Sequence, residues 1–202
     1  MNRLPLHEDL YLIAHDQSGK PLIHQSSMAL GLAGAVVLEL AVSGRVTVAD
    51  GRATVSRPPA GDTPVSLADG DVRLLIKKAA NGLYDRTREA LVASGVLVRV
   101  SRRRLGMLPY TRHQLADIAS VVRASSGVRS AVEGWKPPDA RCAALCGLVA
   151  VLRLESELYL DQPANRLVGR LREIASAAPP VVGELVAVVD TLVGEAAVAV
   201  YR

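Results

Sequence analysis

The sequence predicts a mainly α-helical fold: a single helical domain around a central bundle, spanning residues 1–202, with a small satellite β-hairpin and a protruding basic β-hairpin. Three observations predict it. Long stretches built from Ala, Val and Leu keep their apolar residues at helical spacing. Asp50-Gly51 lies between two short runs that alternate β-branched and polar residues, which is a tight-turn signal. At Gly95 the helical spacing of Leu83, Thr87 and Leu91 gives way to the alternation of Val96, Val98 and Val100.

The elements follow in order. Leu4 to Ala14 puts Pro5 and two acids in a first helical turn, with Leu6, Leu10 and Ile13 on one face. Asp16 to Gly19 breaks it. Ser26 or Ser27 is expected to cap a second helix running to Ser43, whose first half, with Gly31, Ala33, Gly34 and Ala35, is slender enough for a neighbour to reach its backbone. Arg45 to Val55 reads as the satellite hairpin. Arg57 to Gly70, with three prolines, reads as a loop into helices at about Asp71 to Ala80 and Leu83 to Ser94. The basic hairpin is expected at about Val96 to Leu108, with Arg102, Arg103 and Arg104 at its tip. Thr111 to Ser125 reads as a helix, and Asp139 is expected to cap a long apolar helix reaching about Tyr159. Pro163 and Pro179-Pro180 open two more, each proline standing where a missing N–H costs nothing.

Half of the 202 residues are apolar, enough for a core that needs neither metal nor disulfide. With no Phe and one Trp, the chain offers few platforms for stacking bases of a single strand. Cys142 and Cys146 are four apart on one helical face and read as small core residues, with no partners for a metal site. Met1 to Asp9 is mixed and acidic, unlike a secretory leader, so a cytoplasmic location is expected. The apolar runs at 28–42 and 181–200 carry Glu39, and Glu184, Asp190 and Glu195, and read as core helices rather than spans.

No catalytic pattern is found. The chain has no GxSxG, HExxH or GxxxxGK, and its four histidines share no ligand spacing. Gly31-Leu-Ala-Gly34 follows no strand and precedes no lysine, so it is not a phosphate loop. The reading is non-catalytic, without cofactor or metal.

Charge is the informative feature. The net charge is +4, and basic residues concentrate from Lys77 to Arg112, where only Asp85 and Glu89 oppose them. Three guanidinium groups at a hairpin tip suit a polyanion, either a nucleic acid or an anionic membrane surface. Arg99, Arg102, Arg103 and Arg104 beside an anionic leaflet contribute about 1 kcal/mol each, a weak anchor that Leu105, Met107 and Leu108 could reinforce by dipping into the interface. The competing reading is a winged helix, with Leu83 to Ser94 in a groove and Arg102 to Arg104 as the wing, although Asp85 and Glu89 dilute that helix's charge. A third is a protein adaptor whose basic finger is incidental.

Four blocks carry a resemblance: Leu4-Pro-Leu-His-Glu-Asp-Leu-Tyr-Leu, the segment from Gly31 to Arg45, Leu91-Val-Ala-Ser-Gly-Val-Leu97 with Trp135, and Asp139-Ala-Arg-Cys-Ala-Ala-Leu145. In this order they resemble the Golgi phosphoprotein 3 family, peripheral membrane proteins that bind phosphatidylinositol-4-phosphate and have bacterial members. The resemblance implies a mostly helical domain and a hairpin used in membrane contact or self-association. It also implies a lipid pocket whose Trp and three Arg positions fall here on His24, Ala33, Asn81 and Tyr84. Lys77, Lys78 and Arg88, a turn away, are expected to supply the charge. The expected lipid-binding set is therefore His24, Lys77, Lys78, Asn81, Tyr84 and Arg88. Poor head-group discrimination is expected, and Arg at positions 33 and 84 is expected to restore it. The expected partners are an anionic membrane surface on its inner face, a second copy through the hairpin, and membrane-protein clients, with nucleic acid only under the competing reading.

Overall fold

A computed structural model describes residues 3–56, 68–102 and 110–200. Its helices are α1 (Leu6–Ile13), α2 (Gln25–Val42), α3 (Val72–Ala80), α4 (Leu83–Ala93), α5 (Ile118–Val132), α6 (Ala140–Val151), α7 (Ala164–Ser176) and α8 (Pro180–Val200), with a 3-10 turn at Glu155–Leu158. Two small antiparallel sheets complete it: β1 (Val46–Ala49), β2 (Arg52–Val55) and β3 (Gly70–Asp71) in one, β4 (Leu97–Arg102) and β5 (Tyr110–Leu115) in the other. The protein is mainly α, as the sequence predicts.

α2 is the axis of the bundle because it is apolar on every side, and a helix of that kind has to be covered all round. α1, α3, α4, α6 and α8 surround it. Its glycines set how close they come. A Cβ on Gly34 would lie 2.4 Å from Val189 Cγ2 of α8, and one on Gly31 would lie 2.7 Å from Leu152 Cδ1. Among the described helices α2 alone is long and apolar enough to cross a membrane, and 56% of it is buried inside the bundle. The core forms one cluster reaching from Leu6 to Leu192.

Asp50 and Gly51 both take positive φ, 51° and 71°, the geometry that turns β1 into β2. β3 adds a third strand to this hairpin, and its Asp71 then caps α3 by accepting the Leu74 N–H at 3.0 Å.

Three expectations are corrected. α2 is capped by His24, not by Ser26 or Ser27: the His24 Nδ1 accepts the Ser26 N–H at 3.3 Å. The helix after Asp139 stops at Val151. Arg153 there turns to a φ of 57°, and the Leu154 N–H reaches back to the Val149 carbonyl at 3.0 Å. The largest change concerns 111–117, read from sequence as helix. Residues 110–115 are the second arm of the basic hairpin, and the helix begins at Ile118. Leu97 pairs with Leu115, Arg99 with His113 and Arg102 with Tyr110. The helical spacing of Leu115, Ile118 and Val122 masked this, because Leu115 serves the strand by closing the core edge opposite Leu97. The hairpin is therefore longer than Val96 to Leu108. Arg103, Arg104, Leu105 and Met107 lie outside the described residues.

Candidate functional site

Gly82, at a φ of 68°, turns α3 into α4 and places Tyr84 and Asp85 in the first turn of α4 and Arg88 in the next. Tyr84 is buried against α1. Its hydroxyl donates to His15 Nε2 at 2.9 Å, and the His15 ring stacks on Tyr11 with centroids 3.8 Å apart. His15 Nδ1 donates to the Tyr11 carbonyl at 2.7 Å, which leaves Nε2 free to accept. Burial holds the His15 imidazole down to about 4 despite that bond, so it stays neutral near pH 7. Burial likewise drives the Tyr11 hydroxyl far up. Both rings are positioning groups.

Above them lies Arg88. Its guanidinium sits 5.7 Å from the Tyr84 ring centroid and 2.8 Å from Asp85, and its Nε is enclosed with no hydrogen-bond partner. The next residue, Glu89, holds Arg99 of β4, and opposite Arg99 stands His113, kept below its ordinary pKa first by burial and then by Arg88. The base of the ribbon is thus a stack of paired charges. On α3, Lys77 and Arg73 both reach Glu195 of α8, Lys77 at 3.2 Å. Lys78 and Arg86 are exposed and make no ion pair among the described residues. Exposed pairs contribute about 0–1 kcal/mol, so Lys77 and Arg99 can exchange their carboxylates for a phosphate at small cost.

The expected lipid-binding residues divide accordingly. Tyr84 and Arg88 meet, and Lys77 and Lys78 share the exposed side of α3 with Asn81 at its C-terminal end. His24 is exposed and spends its ring nitrogen on the α2 cap. Tyr84 is a packed ring whose hydroxyl already has a partner. Ala33 is wholly buried in mid-α2, so an Arg there could not reach a head group. Of the hairpin set, Arg99 lies on the described ribbon, Arg102 ends β4, and Arg103, Arg104, Leu105 and Met107 fall outside the described residues.

Sequence reasoning missed two features. One is Arg86, an exposed cation with no partner among the described residues. The other is a buried ionic hub: Arg141 of α6 holds Asp9 at 3.0 Å, Glu39 at 3.1 Å and the Leu4 carbonyl at 2.6 Å, while Glu39 also accepts the Leu6 N–H at 2.9 Å. Three of the four blocks that carry the resemblance meet there. The signal was present in Glu39, a charge inside an otherwise apolar helix that has to be paired. Cys142 is half-buried, Cys146 is buried, and both are free. No group of three or more His, Cys, Asp or Glu able to hold a metal occurs among the described residues.

Fold and site together define a mainly helical protein with a basic face at the root of a two-stranded ribbon. The chain belongs to the Golgi phosphoprotein 3 family: the family profile described as Golgi phosphoprotein 3 (GPP34) matches residues 6–192. No curated protein matches the chain.

Proposed function

We propose that this chain is a non-catalytic peripheral membrane protein that binds anionic phospholipid head groups, of the phosphatidylinositol-4-phosphate type, on the inner face of a membrane. The observation that carries the reading is the ribbon. Val96 and Leu97 anchor it to the core, and outward from them its two arms carry Arg99, Arg102 and Arg112 toward the arginine run. Lys78 and Arg86 add exposed charge on the adjoining helices. Family membership supports a Golgi phosphoprotein-type role, and the charge arithmetic supports reversible attachment. Four arginines at about 1 kcal/mol each give roughly millimolar attachment alone, so binding is shared with a second contact. Self-association through the hairpin and membrane-protein clients belong to the same proposal.

Cosedimentation with vesicles tests it. The parent binds vesicles rich in phosphatidylinositol-4-phosphate and those rich in phosphatidylserine to a similar degree, and replacing Lys78 and Arg86 by Glu weakens both. Undiminished binding by that double variant contradicts the basic face as the contact. The winged-helix reading gains nothing from the geometry, since Arg88 and Arg99 are paired to the two acids of α4.

A further inference from the structure

A cavity of about 570 Å³ is lined by Leu97 and Leu115 of the ribbon, by α5, by the 15–19 loop and by Glu157 and Tyr159 at the 3-10 turn. Its volume falls within the about 300–1,000 Å³ of small-molecule sites. Three large apolar side chains stand open on its walls: Ile118 at 64%, Val122 at 57% and Tyr159 at 80% exposure. One such residue is ordinary; three around one concavity mark a surface that something covers. The cavity also contains a charge without a mate. The side chain of Arg129, half-buried on α5, makes no ion pair or hydrogen bond among the described residues, whereas the two acids of the lining have their oxygens engaged by uncharged donors: Asp16 accepts from Ser18 and the Lys20 N–H, and Glu157 accepts from the Ser156 hydroxyl. Eleven helical steps separate Ile118 from Arg129, a length of about 16 Å.

We propose that this cavity binds one long-chain fatty-acid anion, its chain laid along Ile118 and Val122 and its carboxylate on Arg129. The open apolar wall and the unmet donors of Arg129 select this occupant. An apolar tail matches the wall, and a single anionic head matches the one unpaired cation at its end. The site is separate from the head-group face on α3 and α4 and needs no membrane, so its test is independent of the function proposed above.

The test uses the full chain without vesicles, with cis-parinarate as the fluorescent probe and octanoate, decanoate and dodecanoate as competitors. Uptake of the probe is saturable at one molecule per chain, and each added methylene tightens competition about fourfold, the equivalent of burying one CH₂. Val122→Glu places a charge on the exposed wall, keeps the parent melting temperature and abolishes uptake. Arg129→Gln weakens dodecanoate about tenfold and leaves dodecanol unchanged, as loss of one charge-assisted hydrogen bond requires. No saturable uptake by the parent, parent-like uptake by Val122→Glu, or equal loss of dodecanoate and dodecanol in Arg129→Gln overturns the proposal.

Discussion

His15 Nε2 lies 2.9 Å from the Tyr84 hydroxyl, so a neutral imidazole joins the first helix to the helix that bears Arg88. Protonating that ring costs the bond and buries a charge. The folded-state value of about 4, against an ordinary 6.5, means that the unfolded chain takes up a proton below pH 6.5 while the folded chain does not until about pH 4. This contribution to stability is present above 6.5 and lost as pH falls through that window. His7, pushed to about 4 by burial, acts in the same direction. Glu8 opposes: burial, then Asp9, raise it to about 7 from 4.5, so its folded form binds a proton that the unfolded form has released, and stability falls as pH rises between those values. His113, also held down by burial, adds to the histidines and Asp9, also raised by burial, to Glu8; with the two deeply buried histidines on one side, stability drops on acidification from pH 6.5 to 4.5. Urea unfolding of the parent and of His15→Gln across this range checks it; the variant flattens the slope, and an unchanged slope means that His15 is not buried neutral.

Arg141 pairs with Asp9 and Glu39 at once. Removing it as Arg141→Met leaves two enclosed carboxylates without a counter-charge and costs about 3–5 kcal/mol. Chemical denaturation measures the loss, and a cost under about 1 kcal/mol means that the hub is hydrated.

The loop after α1 crosses the ribbon at Gly19. A Cβ there would stand 1.5 Å from the His113 carbonyl oxygen, and its φ is 75°. Gly19→Ala is therefore strained and obstructed, with an expected cost above about 2 kcal/mol and faster amide exchange in 110–115. Gly44→Ala has the strain without the obstruction, since nothing lies within 4 Å, and costs about 1 kcal/mol. Equal costs at the two positions contradict the close crossing.

Arginine grafted at the family's pocket positions does not restore selectivity. Ala33→Arg forces a guanidinium into a fully buried helix face, and Tyr84→Arg breaks the His15 bond. Both variants are expected to lose folded protein, read as a lost thermal transition. A folded Ala33→Arg with sharper head-group preference contradicts this.

Much of the fold was legible because it depends on local rules. Asp50-Gly51, Gly95, the Asp139 cap and Pro180 each act within one turn of the chain. The strand at 110–115 was hidden because its pairing with 97–102 is a tertiary fact, while Leu115, Ile118 and Val122 imitate one helix face. In the site, the concentration of Lys and Arg was readable as composition. Which of them are paired was not, since Glu195 is 118 residues from Lys77 and Asp9 is 132 residues from Arg141. Ala33 and Tyr84 looked like pocket positions because sequence spacing carries no information about burial.

The central claim is that the ribbon carries the protein to an anionic membrane, and flotation with phosphatidylserine vesicles over a salt series tests it most directly. The parent floats at low salt and is released as ionic strength rises past physiological, where screening acts within about 8 Å. Replacing Arg102, Arg103 and Arg104 by Ala weakens flotation strongly and leaves the melting temperature unchanged. Flotation by the triple variant equal to that of the parent, or parent binding that salt does not weaken, contradicts the account.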